Sequence, residues 1–334
     1  MHAEIPKAAD LEEQVFTTDK HSFEKLAIAV FRFQYQFNPV YRSYCNAIKT
    51  NPAVINHVYQ IPFLPISFFK THNVTCAANS ISGIYFESSG TTGMQASRHF
   101  VPHIKLYEQS FRTAFNQFYG SANDYCILGL LPSYLERQHS SLVYMVTDLV
   151  KESSHPKSGF YLDQLDDLAK TIKELEKAGQ KTLLFGVTYA LLHFAEHYPM
   201  PLRHTTIIET GGMKGRKKEL LRDEVHGLLK KSFSLPAIHS EYGMTELLSQ
   251  AYALEQGLFQ VPAWMQVLIR EEDDPFAVAM HSKTGGINII DLANIYSCAF
   301  IATEDVGRLH QDGRFEVLGR LDSAEIRGCS LLAL

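Results

Sequence analysis

The stretch Ile84-Tyr-Phe-Glu-Ser-Ser-Gly-Thr-Thr-Gly-Met94 decides the prediction of the fold. Its apolar start predicts a short strand, and six small residues, Ser88 to Gly93, follow that strand. Glycines let a backbone approach its ligand closely, and successive N–H groups form a concave binding site for anions. The order of these residues therefore predicts a phosphate-binding loop after a strand, with a flexible polar turn as the alternative.

Composition narrows the class of protein. The 334 residues are 46% hydrophobic and 20% charged, which is typical of a soluble enzyme with one large domain or two smaller ones. A formal net charge of -5 argues against general nucleic-acid binding, which usually needs a basic surface. No apolar run reaches the roughly 20 residues of a membrane span. The polar N-terminus lacks the apolar run of a signal peptide, so we expect a cytoplasmic location.

The five cysteines are widely scattered and include no Cys-x-x-Cys pair. An odd number of distant cysteines argues against a disulfide framework and against a zinc site. This pattern suits a reducing compartment, which agrees with a cytoplasmic protein.

The spacing of apolar residues predicts an α/β protein in three regions. Aromatic residues at steps of three and four predict helices over residues 1–80, as an N-terminal cap packed on the core. Alternating strands and helices over residues 81–250 predict an α/β core whose helices cover a largely parallel sheet. Shorter strands separated by turns predict a β-rich subdomain with a short C-terminal tail over residues 251–334.

The predicted elements of the core alternate along the chain. The strands are 124–131, 181–187 and 205–209, and the helices are 104–118, 140–150, 162–178, 189–197 and 214–233. The periodicity of the last helix places five apolar residues on one, packed side: Leu220, Leu221, Val225, Leu228 and Leu229. The rings of 104–118 are compatible either with an apolar acyl pocket or with ordinary packed core.

Four further segments carry polar residues where strands are predicted to end. They are Glu209-Thr-Gly-Gly-Met-Lys-Gly215, Glu241-Tyr-Gly-Met-Thr-Glu246, Thr303-Glu-Asp-Val-Gly-Arg308 and Gly319-Arg-Leu-Asp322. Each alone has a structural explanation: a glycine turn, a buried tyrosine, acids that cap a turn, and a surface ion pair of Arg320 with Asp322. In open α/β sheets, however, ligands bind at the carboxyl ends of strands.

Taken together and in this order, the five segments resemble the adenylate-forming superfamily, from about residue 84 to 329. The double serine and the short chain are similar to the branch that includes phenylacetate-CoA ligases. Within it, two stretches resemble the acyl-protein synthetase family, Phe33-Gln-Tyr-Gln-Phe-Asn-Pro-Val-Tyr-Arg-Ser-Tyr-Cys45 and Ile326-Arg-Gly-Cys-Ser330. The resemblance implies layered α/β sheets with a β-rich subdomain, 81–250 being the nucleotide- and acyl-binding core. Because the chain ends shortly after Asp322, it also implies that the mobile C-terminal subdomain is lacking.

The resemblance implies ATP-dependent activation of a carboxylic acid, with a fatty acid as the first expectation. It assigns the phosphates of ATP to Ser88, Ser89, Gly90, Thr91, Thr92 and Gly93. It places Gly211 and Gly212 beside the adenine and the acyl tail, and Tyr242 on or beside the adenine, with Gly243 among the nucleotide-binding residues. It assigns the α-phosphate to Thr245, Mg²⁺ to Glu246, and the ribose to Asp305 and Arg320. An oxygen-rich site of this kind suits a hard cation.

The resemblance also implies the catalytic residues. Cys329 would receive the acyl group from the adenylate and pass it to a partner reductase or acyltransferase. His139 lies where the family often has an aromatic residue or a histidine near the carboxylate. Lys214 is a candidate to replace the lysine that the C-terminal subdomain supplies in other members, and Thr245 completes the set.

Two departures from the pattern leave alternatives open. The phosphate loop usually continues to a lysine, whereas here the first cationic candidates are Arg98, His99 and His103. Glu304 also replaces a glycine before Asp305. The alternatives to acyl transfer onto Cys329 are an acyl- or aryl-CoA ligase and, in another class, a nucleotide-binding component that is weakly active without a partner.

Overall fold

The structure is a computed structural model, and it describes residues 5–76, 84–88, 95–132, 137–211, 220–271, 274, 276–278 and 283–321. Its helices in that part of the chain are α1 (Ala8–Val15), α2 (Phe23–Phe37), α3 (Pro39–Ala47), α4 (Phe68–Thr71), α5 (Ile104–Tyr119), α6 (Ser141–Ser153), α7 (Leu165–Ala178), α8 (Thr188–His197) and α9 (Arg222–Phe233). Its strands are β1 (Leu64–Pro65), β2 (Ile84–Glu87), β3 (Arg98–Val101), β4 (Cys126–Leu130), β5 (Gly159–Phe160), β6 (Thr182–Gly186), β7 (Thr205–Glu209), β8 (His239–Tyr242), β9 (Ala251–Ala253), β10 (Met265–Arg270), β11 (Thr284–Asp291), β12 (Phe300–Leu309) and β13 (Phe315–Arg320).

A six-stranded sheet in the order β5-β4-β6-β7-β8-β9 forms the centre of the α/β region. It is parallel from β5 to β8, and β9 returns antiparallel to β8. Successive residues of a strand point to opposite faces, so Leu183 and Phe185 pack on the side of α5 and α6, whereas Leu184 packs on the side of α7, α8 and α9. The predicted α/β class with helices on both faces of a parallel sheet is confirmed.

The second sheet joins one strand from the N-terminal region, β1, to four strands from the C-terminal region, β10 to β13. Strand order is β1-β12-β11-β10, with β13 on β12, and β1 pairs in parallel with β12 through Leu64 and Ile301. On α2, the buried Gln34 donates from Nε2 to the carbonyls of Asn294 and Ile295 at 2.8 and 2.9 Å. Its Oε1 accepts from the Ala299 N–H at 3.0 Å. The N-terminal helices therefore hold the loop that connects β11 to β12.

A pair of antiparallel strands flanks the first sequence motif. β2 and β3 are antiparallel, with Glu87 opposite Arg98. The sequence predicted β2 but not β3, because Arg98-His-Phe-Val101 is too short and too mixed in polarity to show an alternating pattern. The Ser/Thr/Gly segment thus lies between two paired strands.

Two predicted elements have different bounds. The last helix of the core begins at Arg222, because the Glu224 carboxylate accepts from the Leu221 N–H at 2.9 Å and caps the helix start. Leu221 and Leu228 are 68% and 49% exposed, so their predicted packing is wrong. The strand predicted to end at Thr303 continues to Leu309 because β13 pairs with its second half.

Among the described residues, no helix is both long enough and apolar enough to cross a bilayer.

Candidate functional site

The candidate site lies at the carboxyl ends of β7 and β8. These strands are neighbours, with Glu209 opposite Ser240, so the residues that follow them meet at one edge of the parallel sheet. Gly211 follows β7, and Tyr242 ends β8. This is the edge at which open α/β sheets bind their ligands.

Gly211 presents bare backbone at this edge. Its φ of +74° is a conformation that favours glycine, and a Cβ placed there would meet no heavy atom within 4 Å. Its N–H donates to Glu209 Oε1 at 2.8 Å, and its carbonyl accepts from the Thr188 N–H at 3.0 Å. A flat ligand ring could therefore lie against a backbone that is already held in place.

Tyr242, Asp305 and Arg320 come together across the two sheets. The Tyr242 hydroxyl donates to Asp305 Oδ2 at 2.8 Å, and Arg320 Nε lies 3.4 Å from Asp305 Oδ1. Asp305 and Arg320 are directly opposite each other on β12 and β13. Burial, followed by the charge of Asp305, raises the pKa of Tyr242 well above its ordinary value, so the hydroxyl stays a donor. The sequence had paired Arg320 with Asp322 as its structural alternative, and Asp322 lies outside the described residues.

The Tyr242 ring itself is almost covered. It is 8% exposed, with Phe259 and Phe315 at ring-centroid distances of 5.7 and 5.6 Å. Its position beside Asp305 is therefore set by apolar packing, and its hydroxyl fixes the carboxylate.

The turn from Gly243 to Gln250 carries Thr245 and Glu246, and a buried pair of side chains holds its backbone. His99 Nδ1 lies 2.8 Å from the Thr245 carbonyl, and His99 Nε2 lies 3.1 Å from Asn294 Oδ1. Asn294 Nδ2 donates to the Glu246 carbonyl at 2.8 Å. Because β3 carries His99, the strand that leaves the Ser/Thr/Gly segment is tied to the Thr-Glu pair.

Asp291 holds the far side of the same turn. This fully buried carboxylate accepts from the N–H groups of Leu248 and Ser249 at 2.8 and 3.0 Å, and from Ser249 Oγ at 2.6 Å. It also accepts from the Ala293 N–H at 3.2 Å. Burial raises the pKa of Asp291, while these four donors oppose that rise by stabilising the charged form.

Ser88 and His139 meet at the base of the Ser/Thr/Gly segment. The Ser88 N–H donates to the Ser97 carbonyl at 3.0 Å, and Ser88 Oγ accepts from the Ser97 N–H at 2.9 Å. The exposed His139 ring stacks on Tyr85 of β2 at 4.1 Å, and the His139 carbonyl accepts from the Glu87 N–H at 2.8 Å. Both residues therefore lie beside the same hairpin.

The three cationic candidates near this hairpin are all engaged. His99 is 1% exposed, and burial lowers its pKa to about 4, so our suggestion that it replaces the phosphate-loop lysine is wrong. Arg98 pairs with Glu87 at 2.9 Å, and His103 lies 3.3 Å from Glu12. Arg98 is the first residue of β3, and its side chain is 60% exposed, so of the three candidates it is the one that combines a place on the hairpin with exposure.

Several predicted residues lie outside the described residues: Ser89, Gly90, Thr91, Thr92, Gly93, Gly212, Lys214 and Cys329. The other four cysteines are free, and burial raises the pKa of each thiol, to about 12 for Cys45 and Cys76. None of these four is therefore suited to be a nucleophilic thiolate near neutral pH.

Sequence reasoning missed a buried polar cluster under Gly211. Glu209 is 5% exposed and accepts from the Thr188 hydroxyl, and His226 Nε2 lies 4.0 Å from its Oε2. Burial lowers the pKa of His226, and the charge of Glu209 opposes that shift. An acid as the last residue of an otherwise apolar strand was the available signal.

Comparison with protein families gives one match over nearly the whole chain: the family described as "Acyl-protein synthetase, LuxE" matches residues 9–333. A long-chain-fatty-acid–luciferin-component ligase of Aliivibrio fischeri is 23% identical over 96% of this chain and 90% of its own length. A protein of the same name from Photorhabdus luminescens is 31% identical over 31% of this chain.

Solved structures that are similar to this chain include ligases. A 2-hydroxyisobutyryl-CoA ligase superposes with a TM-score of 0.65 and 10% identity, covering 96% of this chain and 75% of its own. ATP-bound MatB from Rhodopseudomonas palustris gives a TM-score of 0.54 and 14% identity over 71% of this chain. The matched part spans about half, 47%, of the MatB chain. At these identities the likeness shows the fold. Together with the family match it shows that this chain belongs to the acyl-protein synthetase (LuxE) family and has the fold of adenylate-forming ligases.

Proposed function

We propose that this protein uses ATP to activate a carboxylic acid as an acyl-adenylate and then transfers the acyl group to the Cys329 thiol, for a partner reductase or acyltransferase. The observation that carries the proposal is the Tyr242–Asp305–Arg320 group beside the Thr245–Glu246 turn. Residues from three sequence motifs meet there through hydrogen bonds. Family membership supports the same chemistry.

The nucleoside would bind between Gly211 and Asp305. Gly211 offers bare backbone for the adenine ring; Gly212 follows it in sequence, and Gly243 follows the neighbouring strand β8. Each oxygen of Asp305 accepts one hydrogen bond from the protein, and a carboxylate oxygen has two lone-pair positions. One acceptor position on each oxygen is thus left for the two ribose hydroxyls, and Arg320 Nη groups can donate to the ribose.

The phosphates would extend from there to the β2–β3 hairpin. Ser88, Ser89, Gly90, Thr91, Thr92 and Gly93 would hold the β and γ phosphates, and Thr245 the α-phosphate. The described residues include no group of three or more His, Cys, Asp or Glu side chains that could hold a metal alone. Glu246 as a single carboxylate fits Mg²⁺, which is usually held by one or two carboxylates together with substrate phosphates. When bound, Mg²⁺ would neutralise charge on the phosphates.

The first chemical step is attack by a carboxylate oxygen of the acid on the α-phosphorus of ATP. The bond from the α-phosphorus to the bridging oxygen breaks, and pyrophosphate leaves with that electron pair. The protein would position the reacting groups and supply fixed charge. The Thr245 hydroxyl would be positioned by the Gly243–Gln250 turn, whose backbone His99, Asn294 and Asp291 hold. His139 and Lys214 are the side chains that we propose near the carboxylate.

The second step is attack by a thiolate on the acyl carbonyl. A carbon–sulfur bond forms, the carbon–oxygen bond to the phosphate breaks, and AMP leaves. The four described cysteines are unsuited because burial raises their pKa. Cys329 is therefore the thiol that we propose, with Arg327 close in sequence to favour its charged form.

Pyrophosphate release tests the first step. A screen of fatty, aryl and amino acids with ATP and Mg²⁺ should give acid-dependent release. Glu246→Gln should lower kcat/KM by about a hundredfold, as for removal of one electrostatic group from a reacting centre. The matched control is Glu255→Gln, an exposed glutamate nearby. Full activity of Glu246→Gln would refute the metal assignment.

Intact mass spectrometry tests the second step. Incubation with ATP, Mg²⁺ and an active acid should add one acyl group per chain, and hydroxylamine should remove it. Cys329→Ser should abolish the adduct and leave pyrophosphate release intact, whereas the control Cys76→Ser should keep it. CoA thioester formation without any protein adduct would instead select the CoA ligase alternative.

A further inference from the structure

Side chains on the two faces of β8 contact different parts of the protein. Tyr242 points towards Asp305 and the second sheet. Glu241 and Gly243 lie on the other face, because neighbouring residues of a strand alternate. Glu241 is opposite Tyr252 of β9. Burial, followed by the charge that Glu241 carries when it is ionised, raises the pKa of Tyr107 and Tyr119 of α5. The Glu241 face thus lies between the candidate site and α5.

One polar atom on this face, Gln250 Oε1, is buried without a partner among the described residues, and the Glu241 carboxyl group is close to the same glycine. Gln250 is 4% exposed, and its Oε1 accepts no hydrogen bond. Glu241 is 9% exposed. Buried polar groups are nearly always hydrogen-bonded, so the unpartnered Gln250 Oε1 beside the candidate site indicates a position for a polar group of a ligand.

Both side chains approach Gly243. A Cβ added there would lie 2.5 Å from Glu241 Oε1 and 3.4 Å from Gln250 Cγ. Glycine at this position keeps the carboxyl group from being displaced, and Gly243 begins the turn that carries Thr245 and Glu246. Both groups are therefore next to the proposed reacting centre.

The chemistry of the two groups defines their ligand. Burial, followed by the charge of Glu209, raises the pKa of Glu241 to about 8, so at neutral pH it is mostly an uncharged acid that both donates and accepts. Gln250 Oε1 can only accept. A hydroxyl group accepts from Glu241 and donates to Gln250 at once, whereas an ammonium group cannot accept and a methylene group does neither.

The rings of α5 do not offer an alternative apolar pocket. Tyr107, Phe111 and Phe115 are 1%, 0% and 0% exposed and pack within the core. The wall that faces the site from β8 is thus polar.

We propose that Glu241 and Gln250 bind a hydroxyl group of the acyl substrate, so that the protein selects hydroxy acids over the unsubstituted acids. This inference rests on the proposed acid activation and narrows its substrate class.

The test compares acids that differ only by a hydroxyl group. Pyrophosphate release is measured with octanoate, 2-hydroxyoctanoate and 3-hydroxyoctanoate, and with the matching dodecanoates. At least one hydroxylated isomer should exceed its parent acid in kcat/KM by about tenfold or more, because a site built to bond a hydroxyl discriminates strongly against its absence. Glu241→Leu and Gln250→Leu should each lower that ratio about tenfold. Glu241→Gln, which keeps a donor and an acceptor, should retain most of it.

A binding measurement separates a loss of substrate selection from poor folding of a variant. Calorimetry with acyl-sulfamoyl-adenosines, with and without the hydroxyl group, should show the same preference in the unsubstituted protein and in Glu241→Gln. Glu255→Gln serves as the control in both measurements. Equal use of hydroxylated and parent acids, as expected if water alone occupies the pair, overturns this inference and leaves acid activation standing. Absence of release with every acid overturns both.

Discussion

The turn between β8 and β9 and the pair of residues on β12 and β13 show two ways of building one site. The turn is held by His99, Asp291 and Asn294, all of them almost completely buried. On the other side, Arg320 is 58% exposed where it meets Asp305. Buried polar contacts are strong and costly to break, whereas exposed ion pairs contribute little to stability. In the proposed ATP site, the phosphate side should therefore be fixed before the nucleotide binds, and the ribose side should tighten on binding.

The largest expected effect is on stability, at Asp291. Asp291→Ala would leave three buried N–H groups without a partner and remove the acceptor of the Ser249 hydroxyl, so it should lower the free energy of unfolding by about 3–5 kcal/mol. Urea denaturation followed by circular dichroism measures this. Asp312→Ala, a change to an exposed aspartate, is the control and should leave the midpoint nearly unchanged. Similar midpoints for both variants would contradict the proposed rigidity of the turn.

The next effect is a pH dependence that comes from His99. Burial lowers the pKa of His99 from 6.5 to about 4, so the unfolded chain binds the proton first as pH falls. Stability should be complete above about pH 6.5 and fall towards pH 4, by at most about 3 kcal/mol for this group.

The comparison of the protein with His99→Gln isolates this contribution. His239, with its pKa also lowered to about 4 by burial, remains in both proteins. The difference in unfolding free energy between them should therefore shrink from pH 7 to pH 5. A difference that is independent of pH would show that His99 is not held neutral.

A smaller effect is expected at Tyr242. Tyr242→Phe keeps the packed ring and removes the hydroxyl that donates to Asp305. Loss of a hydrogen bond to a charged group costs about 1.5–3 kcal/mol, so the KM for ATP should rise by roughly tenfold or more while kcat changes less. Steady-state kinetics with ATP varied at saturating acid provide the measurement. A change in kcat alone would place the hydroxyl at the reacting centre instead.

The smallest effect on stability is expected at Arg320. Arg320→Ala should change the unfolding free energy by no more than about 0.5 kcal/mol, because the side chain is mostly exposed. The KM for ATP should nevertheless rise severalfold if Arg320 contacts the ribose. Arg314→Ala, which removes another arginine that pairs with an aspartate, should change neither quantity. Equal KM values for the two variants would remove Arg320 from the site.

The sequence predicted those parts of the molecule that depend on local pattern. Strand β7 over Thr205–Glu209 and helix α5 were correct because their apolar spacing is regular. The family resemblance assigned Tyr242 to adenine and Asp305 to the ribose, but no pattern in the sequence predicted the hydrogen bond between them. The roles assigned to these residues remain predictions.

The rest depends on long-range contacts that have no local signature. Nothing in the spacing of Arg98–Val101 shows that His99 turns inward, because a lone histidine after an arginine is typical of a surface. The pairing of β1 with β12 is equally invisible, since a two-residue strand carries no period. Nothing in the sequence around Glu241 predicts its burial, because that depends on packing against β9 and α5.

The contacts of Gln34 have a consequence for how the protein is made. During synthesis, Gln34 can form its hydrogen bond to Asn294 only after another 260 residues have been added to the chain. At a synthesis rate of about 5–20 residues per second, the apolar N-terminal helices remain uncovered for roughly 15 to 50 seconds on the ribosome. During that interval they are a natural ligand for chaperones. The nascent chain should therefore need such protection until its last sheet has emerged.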